Sequence, residues 1–238
     1  MTAVRALPPE REPLVALTHT TFAMRLMAAG FRFLFRAVAR VRTSGLDQLP
    51  QRGPLIVVAN HTTLADPPFV AAWLQPALGR PIQFLAKEQL FTPLMRPILR
   101  MYGAIVVKAG GSDVDAYRAA VSVLRAGGVV AIFPEGTRSL DGVMREPHAG
   151  VALIAARSGA PILPVGISGG QRLLPAGRTL PTLGARLMLR VGRPYSVELD
   201  PGLDRRAATE AATDEIMRRI AALVDVEARG RFDAPPAV

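Results

Sequence analysis

Two short polar runs hold most of the chemistry that this chain can offer. The first is Asn60-His61-Thr62-Thr63-Leu64-Ala65-Asp66-Pro67-Pro68. A neutral imidazole accepts a proton near pH 7. A carboxylate five residues on, returned by a tight turn, would fix the tautomer of His61. It would also stabilise the cation formed when the ring deprotonates a substrate hydroxyl. No protein nucleophile is required, because an acceptor oxygen can itself attack a thioester carbonyl. Other readings fit the same residues. Asp66 followed by two prolines is a good helix N-cap, and His61 also suits a satisfied histidine at a strand end. A metal site is short of ligands with one His and one Asp, and none is expected.

The second run is Phe133-Pro134-Glu135-Gly136-Thr137-Arg138-Ser139. It gathers a carboxylate, a permissive backbone, a hydroxyl and a guanidinium into one loop. The fork of Arg138 matches two phosphate oxygens at once. Glu135 can accept hydrogen bonds from substrate hydroxyls. Taken alone, the run also describes a turn with a surface Glu and Arg.

The elements that must position these runs follow from hydrophobic patterning. Continuous apolar strands are expected at 54–59, 82–86, 104–107, 129–133 and 162–167, with a half-exposed strand at 185–191. Between them the pattern predicts helices at 67–74, 88–101 (kinked at Pro93 and Pro97), 114–125 and 149–158, a loop at 169–181, and a closing helix at 205–226. Apolar strands alternating with helices imply an α/β fold, a mostly parallel sheet flanked by helices. Ligands in such sheets bind beyond the carboxyl ends of the strands, where both polar runs fall.

Ahead of the sheet, residues 14–44 are expected to form an amphipathic helical segment of membrane-interfacial character, with helical periodicity over 21–41. Arg25, Arg32, Arg36 and Arg40 share one sector of this helix, and Met24, Met27, Phe31, Leu34, Phe35 and Val38 lie opposite. An ordinary surface helix packed on the domain fits as well. Membrane contact would run through Phe31, Leu34 and Phe35. The expected organisation is a disordered leader at 1–13, that segment, a main domain at 45–230 and a frayed tail at 231–238, with residues from Phe232 onward loose.

Taken together and in order, the two runs resemble the glycerolipid acyltransferase family, typified by 1-acylglycerol-3-phosphate acyltransferase. Tyr102-Gly103-Ala104-Ile105-Val106-Val107-Lys108 is similar to the family's second block, and Ile162-Leu163-Pro164-Val165-Gly166-Ile167 to its fourth. Ala86-Lys87-Glu88-Gln89-Leu90-Phe91 is similar to a stretch common in bacterial members. The resemblance covers about residues 45–195. It implies an O-acyltransferase of phospholipid biosynthesis that moves a fatty acyl group from acyl-CoA or acyl-carrier protein to the free hydroxyl of 1-acylglycerol-3-phosphate. The thioester is a co-substrate, and no cofactor is implied. His61 would be the general base and Asp66 its orienting partner. Glu135, Gly136, Thr137 and Arg138 would form the acceptor site, with Arg138 on the phosphate and Pro164 shaping the acyl side. Lys108 would supply a second phosphate contact, although an arginine is usual at or just after this position. His148 stands where the family usually has lysine; it reads first as a solvent-exposed loop residue, and a changed charge there also suits a different acceptor headgroup.

Composition bounds the rest. Half of the 238 residues are hydrophobic, enough for a sizeable core. Absent cysteines exclude disulfides and thiolate metal sites. The formal charge of +10 suits anionic partners, lipid headgroups or phosphorylated substrates, and only Lys87 and Lys108 of the basic residues are lysine. A non-catalytic basic module for membranes or nucleic acid is the rival class. Aromatics at 5% and basic residues spread along the chain argue against nucleic acid. No apolar run approaches the roughly 20 residues of a spanning helix, and no secretory signal is evident. The expectation is a peripheral protein on the cytoplasmic side of a membrane.

Overall fold

The computed structural model describes residues 16–108, 114–175, 177–178 and 180–233. The expected leader and the last residues of the expected tail lie outside them. In chain order the elements are α1 (Phe22–Val38), β1 (Ala39–Ser44), β2 (Leu55–Ala59), α2 (Asp66–Leu78), β3 (Gln83–Lys87), α3 (Arg96–Met101) and β4 (Ile105–Val107). There follow α4 (Val114–Arg125), β5 (Val129–Ile132), α5 (Gly150–Ser158), β6 (Ile162–Ser168), α6 (Gly170–Leu173), β7 (Ala185–Val191) and α7 (Arg205–Ala221).

The strands form one seven-stranded sheet in the order β1-β7-β6-β2-β5-β3-β4. Every neighbouring pair is parallel except β6 and β7. The expected mostly parallel α/β sheet is therefore what the chain adopts. β2 shows why its sequence reads as an unbroken apolar run. Ile56 and Val58 face the core beneath α4, α5 and α7, while Leu55, Val57 and Ala59 face the core beneath α1 and α2. All five are buried, and burial on both faces leaves no position for a polar residue.

Several boundaries differ from the sequence-based expectations. The helix expected over 21–41 stops at Val38, because Ala39–Ser44 pairs in parallel with residues 185–190 of β7. The sheet thus begins before residue 45, where the main domain was expected to start. The helix expected over 88–101 is broken into a 3-10 turn at Glu88–Leu90 and the short α3, consistent with prolines at 93 and 97. The loop expected over 169–181 contains the helical turn α6. Phe232 is 2% exposed and belongs to the core, so the tail is not loose from that residue.

α1 packs one face on the domain, the second of the two arrangements its sequence allows. Phe35 is buried, its ring 5.0 Å from Phe69 and 5.9 Å from Trp73 of α2. Met24, Ala28 and Phe35 face the domain, with Phe31 and Val38 packed against the same core. Of the residues expected to touch lipid, Phe35 and Phe31 thus pack on this core, whereas Leu34 is 53% exposed. The outward side is apolar too: Phe22, Leu26 and Phe33 are 81%, 62% and 77% exposed. Their spacing of four and seven residues makes them a single stripe.

At the amino edge of the sheet, away from the polar runs, Arg80 is buried and donates to the carbonyls of Pro50, Gly53 and Gly127. It ties together the chain entering β2 and β5.

Candidate active site

Since β2, β3, β4, β5 and β6 are mutually parallel, their carboxyl ends share one edge. The first polar run leaves β2 there and the second leaves β5, its immediate neighbour. Strand pairing alone therefore brings two runs separated by some seventy residues to adjacent positions about 5 Å apart.

The turn after β2 is shaped by Asp66. Its Oδ2 accepts hydrogen bonds from the backbone N–H groups of Thr62 (2.6 Å) and Thr63 (2.7 Å), and lies 3.0 Å from His61 Nδ1. Its Oδ1 accepts from Thr63 Oγ1 at 2.9 Å. The N-cap alternative is resolved by these contacts. Asp66 is itself the first residue of α2, and its side chain turns back to the preceding loop. Pro67 and Pro68 have no N–H, so the first turn presents fewer donors to cap and the carboxylate is free for the loop. A carboxylate only accepts, so the contact selects the tautomer with its proton on Nδ1, and in the neutral ring that leaves the lone pair on Nε2. The imidazole is 15% exposed and stacks on Phe133, centroids 4.3 Å apart.

Asn60 secures the base of this turn. Its amide donates to the carbonyl of Ile167 (2.9 Å) and accepts from the Ile167 N–H (2.8 Å), extending the β2–β6 ladder by a side chain. Gly170 packs on the other side: a Cβ there would lie 2.4 Å from Thr62 Oγ1 and 3.3 Å from Asp66 Oδ1. Neither role was evident from the sequence, because each depends on β6 lying beside β2. Gly170→Ala is expected to push Thr62 and Asp66 off the ring. Turnover should fall at least ten-fold with a small drop in melting temperature, read by steady-state kinetics and thermal unfolding.

Glu135 occupies a different position from the one its sequence context suggested. It is 2% exposed, with Oε1 accepting from the His61 N–H (2.8 Å) and Oε2 from the Arg145 N–H (2.9 Å). The carboxylate is a strut between the two loops and is not open to a substrate hydroxyl. Burial raises its pKa above the ordinary value of 4.5, against the lowering effect of the two backbone bonds. The folded chain therefore holds this proton better than the unfolded chain does. Glu135 contributes most to stability below pH 4.5, and that contribution is lost as pH rises through its raised folded pKa. Replacement by glutamine removes this titration. The stability difference between wild type and Glu135→Gln, from denaturant unfolding across pH 4 to 8, should shrink or change sign along that window; a flat difference would contradict the assignment.

The remaining expected residues separate into two groups. Gly136 has φ +65°, a left-handed backbone suited to glycine. Thr137 is exposed and Arg138 half-buried, and Arg138 has no ion-pair or hydrogen-bond partner among the described residues. The ring of His148 lies over Gly136, its Cδ2 and Nε2 within 2.7 Å of where a Cβ would stand. The backbone N–H of His148 donates to the Pro134 carbonyl. This places His148, otherwise readable as a solvent-exposed loop residue, directly on the second run. Lys108 lies at the end of a strand further along the sheet. It directly follows β4, with β3 intervening before β5, and its ammonium is 3.7 Å from Asp115. Pro164 also stands apart, buried in mid-β6 beside Gly192 rather than on an open wall.

The mostly parallel sheet thus sets a carboxylate-held histidine at one strand end and, at the next, a loop whose guanidinium has no partner among the described residues. The acyltransferase family model matches residues 40–168, more than half of the chain, and the chain belongs to that family. The chloroplastic 1-acyl-sn-glycerol-3-phosphate acyltransferase LPAT1 of Arabidopsis thaliana is 29% identical over 58% of this chain and 38% of its own length. The 1-acyl-sn-glycerol-3-phosphate acyltransferase of Borreliella burgdorferi is 30% identical over 56% of this chain and 52% of its own. The chain thus matches only about two fifths to a half of the length of these relatives. The crystal structure of the 1-acyl-sn-glycerophosphate (LPA) acyltransferase PlsC of Thermotoga maritima superposes with TM-score 0.66 at 28% identity, covering 84% of this chain and 78% of that one.

Proposed function

We propose that the chain transfers a fatty acyl group from an acyl-CoA or acyl-carrier-protein thioester to the free hydroxyl of 1-acylglycerol-3-phosphate, giving phosphatidic acid. The observation that carries this reading is the hydrogen bond between His61 Nδ1 and a buried Asp66, one strand away from Arg138. Relatives named as 1-acyl-sn-glycerol-3-phosphate acyltransferases support the acceptor. In the proposed cycle Nε2 of His61 takes the proton of the acceptor hydroxyl as its oxygen attacks the thioester carbonyl. The tetrahedral intermediate collapses to the ester, and the departing thiolate takes the proton from the imidazolium. Asp66 holds the ring and balances its transient charge, and Arg138 takes the acceptor phosphate.

The direct test supplies one labelled thioester with a panel of acceptors: 1-acylglycerol-3-phosphate, other lysophospholipids, an amino-acid lipid and a glycolipid. Turnover with lysophosphatidic acid well above the others supports the proposal; a preference for an uncharged acceptor overturns the phosphate assignment. The position of His148 over Gly136 favours a second reading, the same chemistry on a different headgroup, and the same panel decides between them. No thioester cleavage with any acceptor would leave a non-catalytic membrane module.

For the membrane we propose peripheral attachment through Phe22, Leu26 and Phe33. Among the described residues no helix is long and apolar enough to cross a membrane. Three large apolar side chains exposed on one stripe are costly in water and favourable in an acyl boundary, each worth about 1.5 to 3 kcal/mol if fully buried. Replacing Leu26 and Phe33 together by serine is expected to weaken co-sedimentation with phosphatidylcholine vesicles at least ten-fold while leaving the melting temperature nearly unchanged. Replacing the inward Phe35 should do the reverse.

A further inference from the structure

Residues 143–148, on the way from the second polar run to α5, belong to no helix or strand, so no ladder holds their backbone. Yet two of their N–H groups carry that run. Arg145 donates to Glu135 Oε2 and His148 to the Pro134 carbonyl. Such support is only as firm as the segment that gives it. Locally, the Val143 N–H donates to Asp141 Oδ1. The rest of what holds 143–148 comes from much further along the chain.

Beyond α7 the chain makes two 3-10 turns, Val226–Ala228 and Gly230–Phe232. The Met144 N–H donates to the Ala228 carbonyl at 2.8 Å. Met144 and Phe232 are buried in the same core, which anchors both segments from beneath. Gly230 has φ +56° and passes so close that a Cβ would lie 3.0 Å from Val143 Cγ1 and 3.2 Å from the Met144 carbonyl oxygen. Beside it, Arg231 forks onto Glu146, Nε and Nη2 donating to Oε1 and Oε2 at 2.5 and 2.7 Å. The same guanidinium donates to both carboxylate oxygens of Asp214 on α7, at 2.9 and 3.2 Å. A bidentate fork fixes direction as well as distance, and Glu146 directly follows Arg145 in the chain. Hydrogen bonds and chain neighbours thus connect α7 through Arg231 and Glu146 to Glu135, and so to the backbone of His61.

We propose, on the reading of the second run as the acceptor site, that Arg231 is a positioning residue for acyl transfer. Through Glu146 it holds residues 143–148 where their N–H groups set the run that carries Arg138. Arg231 and Glu146 are 46% and 72% exposed, and exposed pairs add little to global stability. The fork therefore tunes one loop without carrying the fold. The turn of His61 keeps its own supports in Asp66 and Asn60. The effect accordingly falls on acceptor binding rather than on the chemical step.

The test compares the full chain with R231Q, E146A, R231Q/E146A and a control, R206Q, which breaks an exposed Arg–Glu pair at the start of α7 instead. Amide hydrogen exchange reads the segment without substrate. R231Q and E146A should each speed exchange at Arg145 and His148 by about five-fold, the equivalent of one well-formed ion pair, and R206Q should not. Kinetics with lysophosphatidic acid and a labelled thioester read the consequence. The acceptor KM should rise several-fold in both single variants, with kcat, the thioester KM and the melting temperature nearly unchanged. The double variant should be no worse than R231Q alone, because both changes remove the same fork. Unaltered exchange in R231Q would overturn the proposal, and so would faster exchange with an unmoved acceptor KM. Additive losses in the double variant would separate Arg231 from Glu146 and overturn it too. Absence of turnover in wild type would instead sink the acyl-transfer reading, and exchange alone would then decide whether the fork holds the segment.

Discussion

His61→Ala is expected to lower kcat for acyl transfer by about 10²- to 10⁴-fold, the usual contribution of a positioned general base. The loss should appear in kcat and kcat/KM equally, with the acceptor KM nearly constant, because in the proposed mechanism the ring meets the reacting hydroxyl and the phosphate is held elsewhere. Release of free thiol from the thioester donor measures it. The fold should survive. The ring is at the rim, 15% exposed, and the turn is held by Asp66 and Glu135 through backbone N–H groups that alanine retains. Undiminished turnover in a folded His61→Ala protein would end the proposed mechanism.

The second large effect is at Asp66, where two substitutions should diverge. In Asp66→Asn the amide oxygen can take the place of Oδ2 and still accept from Thr62 and Thr63. The amide NH2 then donates to Thr63 Oγ1, which lies 2.9 Å from Oδ1 in the wild type. The loop and the tautomer of His61 are kept, and what disappears is the negative charge beside the imidazolium. A charge pair at this separation is worth up to about 4 kcal/mol near a protein surface, so a fall in kcat of about 10²- to 10³-fold is expected with little change in melting temperature. Asp66→Ala additionally strands two buried backbone N–H groups, each costing about 1 to 3 kcal/mol. It should therefore lose stability as well as activity. Equal stability of the two variants would mean that the carboxylate does not organise the turn.

The parts legible from sequence were those governed by short-range pattern. Val114–Arg125 and Ala185–Val191 have the boundaries that periodicity gives, and β2 and β5 announce themselves as apolar runs. The contact of Asp66 with His61 was one of two readings the spacing allowed, beside a helix N-cap. What escaped depended on distant partners. Ala-Arg-Val-Arg-Thr-Ser continues a basic helix by its own composition and becomes β1 only because an open edge of β7 is available. Phe35 looked like a lipid-facing residue, and the aromatic pair Phe69 and Trp73, more than thirty positions on, claims it. Glu135 read as a free acceptor because its two donors come from another loop and from ten residues downstream. Gly170 gave no local signal and His148 only a departure from the family pattern, since a clash with Thr62 or a ring laid over Gly136 exists only in three dimensions.

The direction of α1 sets how a surface-bound protein would meet its lipid. α1 runs antiparallel to α2, with Phe35 near Phe69 at the carboxyl edge of the sheet and Arg25 near Gln75 at the far end of α2. A bilayer lying along the outer stripe of α1 would therefore run alongside the strands, with the His61 edge opening sideways onto the leaflet. Substrate supply then becomes a matter of area rather than volume. At constant bulk acceptor, adding inert lipid would thin the acceptor within the plane and slow turnover, whereas a water-soluble thioester would approach from the other side undiluted.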